Sequence, residues 1–299
     1  LGKDERIISV DSSYSDGEGS SYRLISNGFE GESKSTWFSV SASVSIKGEG
    51  EARPQDYWYD SALFYDKLTK TGIGAKALER VLRKLGQKKA KSGKYTMVVD
   101  PMNVGNLLSP MLSALYGSAL QQKNSFLMDK LDAKVASDLF TLRDEPHVIG
   151  ANGSRYFDNE GVATEPRTVF DKGVLKTYFI DTYNGKKMNM APTISTPSRL
   201  ILAPGDKDLN GLVADVKQGI LVTGFNGGNS NSSTGDFSYG IEGFLIEDGK
   251  LTQPVNEMNV TGNMVALWNS LVAVGNDPQP NRSWQIPSLV FEGVDFSGL

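Results

Sequence analysis

From Phe38 to Ile46 every second residue is apolar, in the order Phe38, Val40, Ala42, Val44 and Ile46, and serine fills each gap. A strict period of two belongs to a strand with one buried and one wet face. Such a strand needs a hydrogen-bonded neighbour and an apolar cover, so the chain must build at least one antiparallel sheet packed on one side. Its flanks read as irregular. Ser12 to Tyr22 is rich in Ser, Gly and Asp and reads as turns, and Gly48 to Pro54 ends the strand.

The period then changes. Leu63, Leu68, Ala77, Leu78, Val81, Leu82 and Leu85 recur at steps of three and four before Gly86, which predicts a helical segment within 56–86 stopped by glycine. Tyr95 to Val99 predicts a short strand ended by Asp100-Pro101. Over 107–121, Met111, Leu112, Leu115, Tyr116, Ala119 and Leu120 form a helical apolar stripe, with Ser109 placed to cap and Pro110 at the first helical position. Beyond residue 139 the turn signals Asp158 to Gly161, Asp171-Lys-Gly173 and Glu247-Asp-Gly249 punctuate short apolar runs, which is hairpin chemistry. Helices are expected at 206–218, capped by Asp206, and at 263–272. The sum is an α+β chain with a large antiparallel, barrel-like sheet and a few packed helices. No 20–50-residue repeat recurs.

The 299 residues suffice for one large domain or two ordinary ones. The formal net charge of −4 argues against a nucleic-acid surface. The one basic stretch, Lys76 through Arg80, Arg83, Lys84, Lys88, Lys89 and Lys91 to Lys94, reads as a solvated helix face and loop, with an anion patch as the alternative. No apolar run approaches the ~18 residues of a membrane span. Zero cysteines exclude disulfides and thiolate metal sites.

Chemistry-bearing residues are sparse. His147 is the single histidine, so any triad or histidine-bound zinc would have to run through it. The carboxylate pairs Asp144/Glu145, Glu242/Glu247 and Asp206/Asp208 sit at turns or helix starts, where caps are the ordinary use. The run 224–236 offers more: its glycines let a backbone approach closely, and its amides and hydroxyls suit a peptide main chain or an anion. Asn226, Gly227, Gly228, Asn229, Thr234 and Asp236 are therefore candidates for a peptide groove or partner contact, with a flexible, ligand-free loop as the alternative.

Several segments in order, Phe157 to Val162, Leu202-Ala-Pro-Gly205, Thr234 to Gly240, Gly243 to Gly249, Thr261-Gly-Asn263 and Val274 to Asp277, resemble the PmbA/TldD family, called modulators of DNA gyrase. The likeness covers about residues 65–299. It divides the chain into a β-rich segment 1–60, compatible with the family's middle region, and a C-terminal domain 61–299. It also implies that the family's N-terminal α/β domain is missing ahead of residue 1. The family pairs a TldD type, whose His-Glu-x-x-x-His helix binds zinc, with a PmbA/TldE type that lacks it. Here the equivalent helix is 107–121, and Leu108, Ser109 and Ser113 stand where the zinc type carries His, Glu and His. A leucine and two hydroxyls cannot hold zinc or take a proton from its water.

The resemblance thus implies a non-catalytic PmbA/TldE-like subunit without cofactor of its own. Its partner would be a TldD-like zinc subunit in a heterodimer, or a second copy in a homodimer. The assembly would act on small or unfolded peptides in the cytoplasm, with 224–236 and the 37–46 strand lining a chamber. Two other classes stay open: a stand-alone regulatory protein of gyrase, and an independent hydrolase using carboxylates and His147.

Overall fold

A computed structural model describes residues 4–299. The chain forms two compact units, residues 1–87 with 150–152, and residues 88–149 with 153–299. The expected division at residue 60 falls inside the first unit.

The first unit contains β1 (Ile7–Leu24), β2 (Glu30–Ile46), β3 (Gln55–Ala62), a 3-10 turn at Tyr65–Lys67 and α1 (Ile73–Leu82). The strands pair antiparallel in the order β1-β2-β3. The alternation of β2 does what its period predicts: Ala42, Val44 and Ile46 turn inward onto Ile73, Ala77 and Val81 of α1. That helix joins 61–87 to the strands and explains why the unit ends near residue 87. Two expectations are corrected. Residues 12–22 are strand, because β1 runs in register against β2 from Ser9 to Leu24, and its residues are exposed on both faces, leaving no alternation to read. Residues 55–62 are strand rather than helix, because they pair with Phe38 to Ser45 of β2. The basic stretch is not simply solvated either: Arg80 and Lys84 both reach the buried Asp56 carboxylate, each at 3.2 Å.

The second unit contains β4 (Gly93–Val99), α2 (Gly105–Ser113), α3 (Gly117–Gln121), β5 (Leu142–Asp144), β6 (Arg167–Asp171) and β7 (Val174–Leu175). It continues through α4 (Thr182–Met188), β8 (Leu200–Leu202), α5 (Leu209–Ala214), β9 (Gln218–Ser230), β10 (Asp236–Glu247) and β11 (Lys250–Asn263). It ends with α6 (Met264–Asn269), β12 (Leu271–Val274), β13 (Trp284–Gln285) and β14 (Leu289–Ser297). Strands β11-β10-β9-β4-β14 lie side by side, and β14 pairs back onto β11 through Asn259↔Ser297, Val260↔Phe296 and Thr261↔Asp295. This closes a five-stranded barrel with no free edge along the paired stretch. A second sheet has the order β13-β8-β5-β6-β7. The architecture is the α+β, barrel-like one that the sequence predicts.

The hairpin turns follow their glycines. Asp248-Gly249 and Lys172-Gly173 both hold two consecutive positive φ angles, 47° and 75°, and 45° and 77°, the geometry whose twist matches paired strands. Asp208, not Asp206, caps α5, accepting from the Gly211 amide at 2.9 Å. Asn263 caps α6, accepting from Val265. Among the described residues no helix is long and apolar enough to cross a membrane.

Candidate functional site

The stripe predicted over 107–121 is two helices. Tyr116 turns to an extended backbone (φ −74°, ψ 142°) because the chain there bridges to Phe179: the Gly117 amide donates to the Phe179 carbonyl at 2.8 Å, and the Phe179 amide to the Leu115 carbonyl at 2.9 Å. The first helix also starts earlier than Ser109, at Gly105, so Pro110 lies inside α2 rather than at its first turn.

Helix α2 has two distinct faces. Leu107, Leu108, Met111 and Leu112 are buried in the main core, each contributing roughly 1.5–3 kcal/mol by burial. Trp268 fixes the helix from below, its indole N–H donating to the Leu107 carbonyl at 3.3 Å and its ring lying 4.4 Å from that of Phe140. The other face, with Asn106, Ser109, Pro110 and Ser113, lines an open cavity of about 700 Å³, inside the ~300–1,000 Å³ range of ligand sites. Ser109 and Ser113 share this wall because residues four apart meet on one helix face. Leu108, matched to the first histidine of the zinc-type motif, points into the core.

The opposite wall comes from the barrel. Gly228, Asn229 and Ser230 of β9 and Tyr239 of β10 line it, with Ser232, Phe126 and Trp284 completing the cavity. The segment 224–230 is therefore not a loop: it is the end of β9, paired to β10. Pairing steps from Ile241↔Phe225 to Tyr239↔Gly228, so Asn226 and Gly227 together oppose Gly240 as a bulge. Two glycines make this possible. A Cβ on Gly228, at φ +93°, would meet the Ser238 carbonyl oxygen at 2.1 Å, and one on Gly240 would meet that of Asn226 at 2.4 Å. The bulge lies immediately before the lining residues and sets the direction in which Gly228 and Asn229 leave it.

Of the six groove candidates, Gly228 and Asn229 line the cavity and Asn226, Gly227, Thr234 and Asp236 do not. The last two belong to a braced turn. Thr234 Oγ1 donates to Asp236 at 2.8 Å, and Asn263 Nδ2 donates to the Thr234 carbonyl at 2.8 Å and to Asp236 at 3.0 Å. The Asn263 and Thr234 donors hold the Asp236 carboxyl below its ordinary pKa. Ser232 and Ser233 add hydrogen bonds to Asn124. The other proposed lining, the 37–46 strand, is in the first unit, and all of the lining residues are in the second. The sequence reading missed Asn106, Pro110, Phe126, Tyr239 and Trp284, which come together only in three dimensions. Pro110 was the available signal, had the helix been started at Gly105.

No histidine or carboxylate lines the cavity. His147 is exposed, its Nε2 3.1 Å from Thr164 Oγ1. Asp144 is 1% exposed and accepts from the Ser198 and Arg199 amides at 2.9 and 2.8 Å. Burial pushes its pKa up, against those two amides and the charges of Arg167 and Arg155. Glu145 pairs with Arg143 at 2.7 Å. Asp158 is also buried, but the Ser195, Val162 and Glu160 amides that donate to it more than offset that burial and lower its pKa. Among the described residues no three His, Cys, Asp or Glu side chains converge as metal ligands. The cavity wall offers hydroxyls, amides and rings, a donor set that does not fit zinc.

Two family profiles match: the PmbA/TldA metallopeptidase central domain over residues 1–85, and the C-terminal domain of the same family over residues 92–298. A Haemophilus influenzae protein named metalloprotease PmbA homolog is 30% identical over all of this chain and 67% of its own length. A Buchnera aphidicola (Schizaphis graminum) protein named metalloprotease TldD homolog is 26% identical over 67% of the chain and 44% of its own length. Among solved structures, a Bacteroides thetaiotaomicron protein described as a candidate modulator of DNA gyrase superposes with a TM-score of 0.99 at 74% identity, over all of this chain and 68% of that one. TldE from Thermococcus kodakarensis shares the fold at a TM-score of 0.85 and 21% identity, over 96% of this chain and 69% of that one.

Proposed function

The chain belongs to the PmbA/TldD family, and from that premise we propose that it is the PmbA/TldE-type, non-catalytic part of a metallopeptidase assembly, working beside a TldD-like zinc subunit on small or unfolded peptides. One observation carries the reading: the cavity face of α2 presents Ser109 and Ser113, and Leu108 is buried in the core, at the three positions that the resemblance matches to the histidines and glutamate a zinc peptidase needs. The helix position is retained and its metal chemistry is not. What the cavity keeps is a shaped wall of hydroxyls, amides and aromatic rings, which can hold a peptide without cleaving it. Zinc in this account belongs to the partner.

The independent-hydrolase reading has little support from geometry. His147 lies beside Thr164 and Tyr156 and no carboxylate lines the cavity. The test is co-purification. The tagged chain expressed in its own cell is expected to bring down a zinc-bearing TldD-type subunit, and the pair is expected to cleave unfolded peptides that neither the chain nor buffer cleaves. Recovery of gyrase subunits without any such partner would replace this reading by the regulatory one.

A further inference from the structure

A proline inside a helix leaves a mark on the helix that carries it. The N–H that position 110 would give to the Asn106 carbonyl, four residues back, does not exist, because Pro110 has none. Asn106 and Pro110 both line the cavity, so the missing helical bond falls between two wall residues, and a carbonyl without that donor costs free energy unless another donor, water or a ligand satisfies it. The rest of the wall is chemically one-sided. None of its lining residues carries a charge. Ser109, Ser113, Ser230, Asn106 and Asn229 can each both donate and accept, while Phe126, Tyr239 and Trp284 offer ring surface.

Building on the peptide-holding reading above, we propose that this cavity is a subsite for an uncharged peptide segment: an apolar or aromatic side chain packs against Phe126, Tyr239 and Trp284, and a main-chain N–H of the peptide takes the Asn106 carbonyl, to which Pro110 can give no helical N–H. A main chain alternates donors and acceptors, which the amides and hydroxyls of the wall match. A charged side chain would lose its hydration there with no opposite charge to meet. Selection is therefore by exclusion of charge as much as by attraction of rings.

The test uses the chain alone and blocked tripeptide amides, acetyl-Gly-Phe-Gly, acetyl-Gly-Asp-Gly and acetyl-Gly-Lys-Gly, with titration calorimetry. The phenylalanine peptide is expected to bind about tenfold or more tighter than either charged one, the size of effect that one unfavourable burial produces. Pro110→Ala restores the helical N–H, so it should raise the melting temperature and yet weaken the phenylalanine peptide by roughly tenfold. That opposition of signs separates a ligand-directed carbonyl from a merely structural proline. Ser113→Asp, at an exposed wall position, should turn the preference towards the lysine peptide. Equal binding of all three peptides, or Pro110→Ala and Ser113→Asp binding them as the unchanged chain does, overturns the proposal, as does preference for a neutral disaccharide. The outcome is independent of co-purification: loss of the zinc partner with retained peptide selection would sink the assembly reading and leave the subsite standing.

Discussion

Two Asn-, Ser- and Gly-rich surfaces of the second unit look alike in sequence and behave differently in structure. At the β9–β10 turn, Asn231, Thr234, Asp236 and Asn263 bond to one another, and Asn263 also caps α6. On the cavity wall, Ser109, Ser113 and Asn229 face open space. Polar residues at the turn are spent on holding the chain, and those at the wall are presented to whatever enters. Composition alone cannot separate the two, because both need small residues with hydrogen-bonding tips. The separation comes from which neighbours the fold supplies.

Turn and wall differ most where the wall meets the core. Leu108 sits on α2 beside the cavity residues but is wholly buried. Leu108→His should cost ~2–5 kcal/mol, since it removes apolar volume and buries a polar ring, and urea unfolding will measure it. A stable Leu108→His protein would mean that this position faces the cavity after all. Next, Asn263→Ala removes a helix cap and two braces of the turn, and should cost about 0.5–2 kcal/mol by the same assay. A smaller, pH-dependent effect belongs to Asp236. Its folded pKa is below the ordinary 3.8, so its contribution to stability is present above the ordinary carboxylate range and is lost as pH falls through the lowered value. Carboxyl titration by NMR should show the lowered pKa, moving back up in Asn263→Ala. Smallest of all, Ser113→Ala and Asn229→Ala on the wall should change stability by no more than about 0.5 kcal/mol; a large loss at either would make the wall another brace.

Much of this fold is visible in residue order. The period-two run 38–46 finds its cover in α1, and the Asp-Gly and Lys-Gly turns fall where positive φ is needed. What the order conceals is pairing that leaves no alternation. β1 is Ser/Gly/Asp-rich and exposed, and only its register with β2 makes it a strand. The segment 224–230 conceals a strand for a related reason: its glycines serve a bulge and close backbone contact rather than flexibility. The candidate site was half legible. Gly228 and Asn229, two of the six groove candidates, line it, as do Ser109 and Ser113, which the sequence marked only as positions matched to the zinc motif, whereas Phe126, Tyr239 and Trp284 reach it from separate elements. The family resemblance, carried by motifs beyond residue 157, is matched by both domain profiles.

Zinc content after dialysis against metal-free buffer shows whether the α2 position in this chain is without the metal chemistry of the zinc type. The account predicts essentially none bound to the chain alone. About one zinc per chain, the stoichiometry of an occupied site, would contradict it and bring His147 and the carboxylates back as ligands.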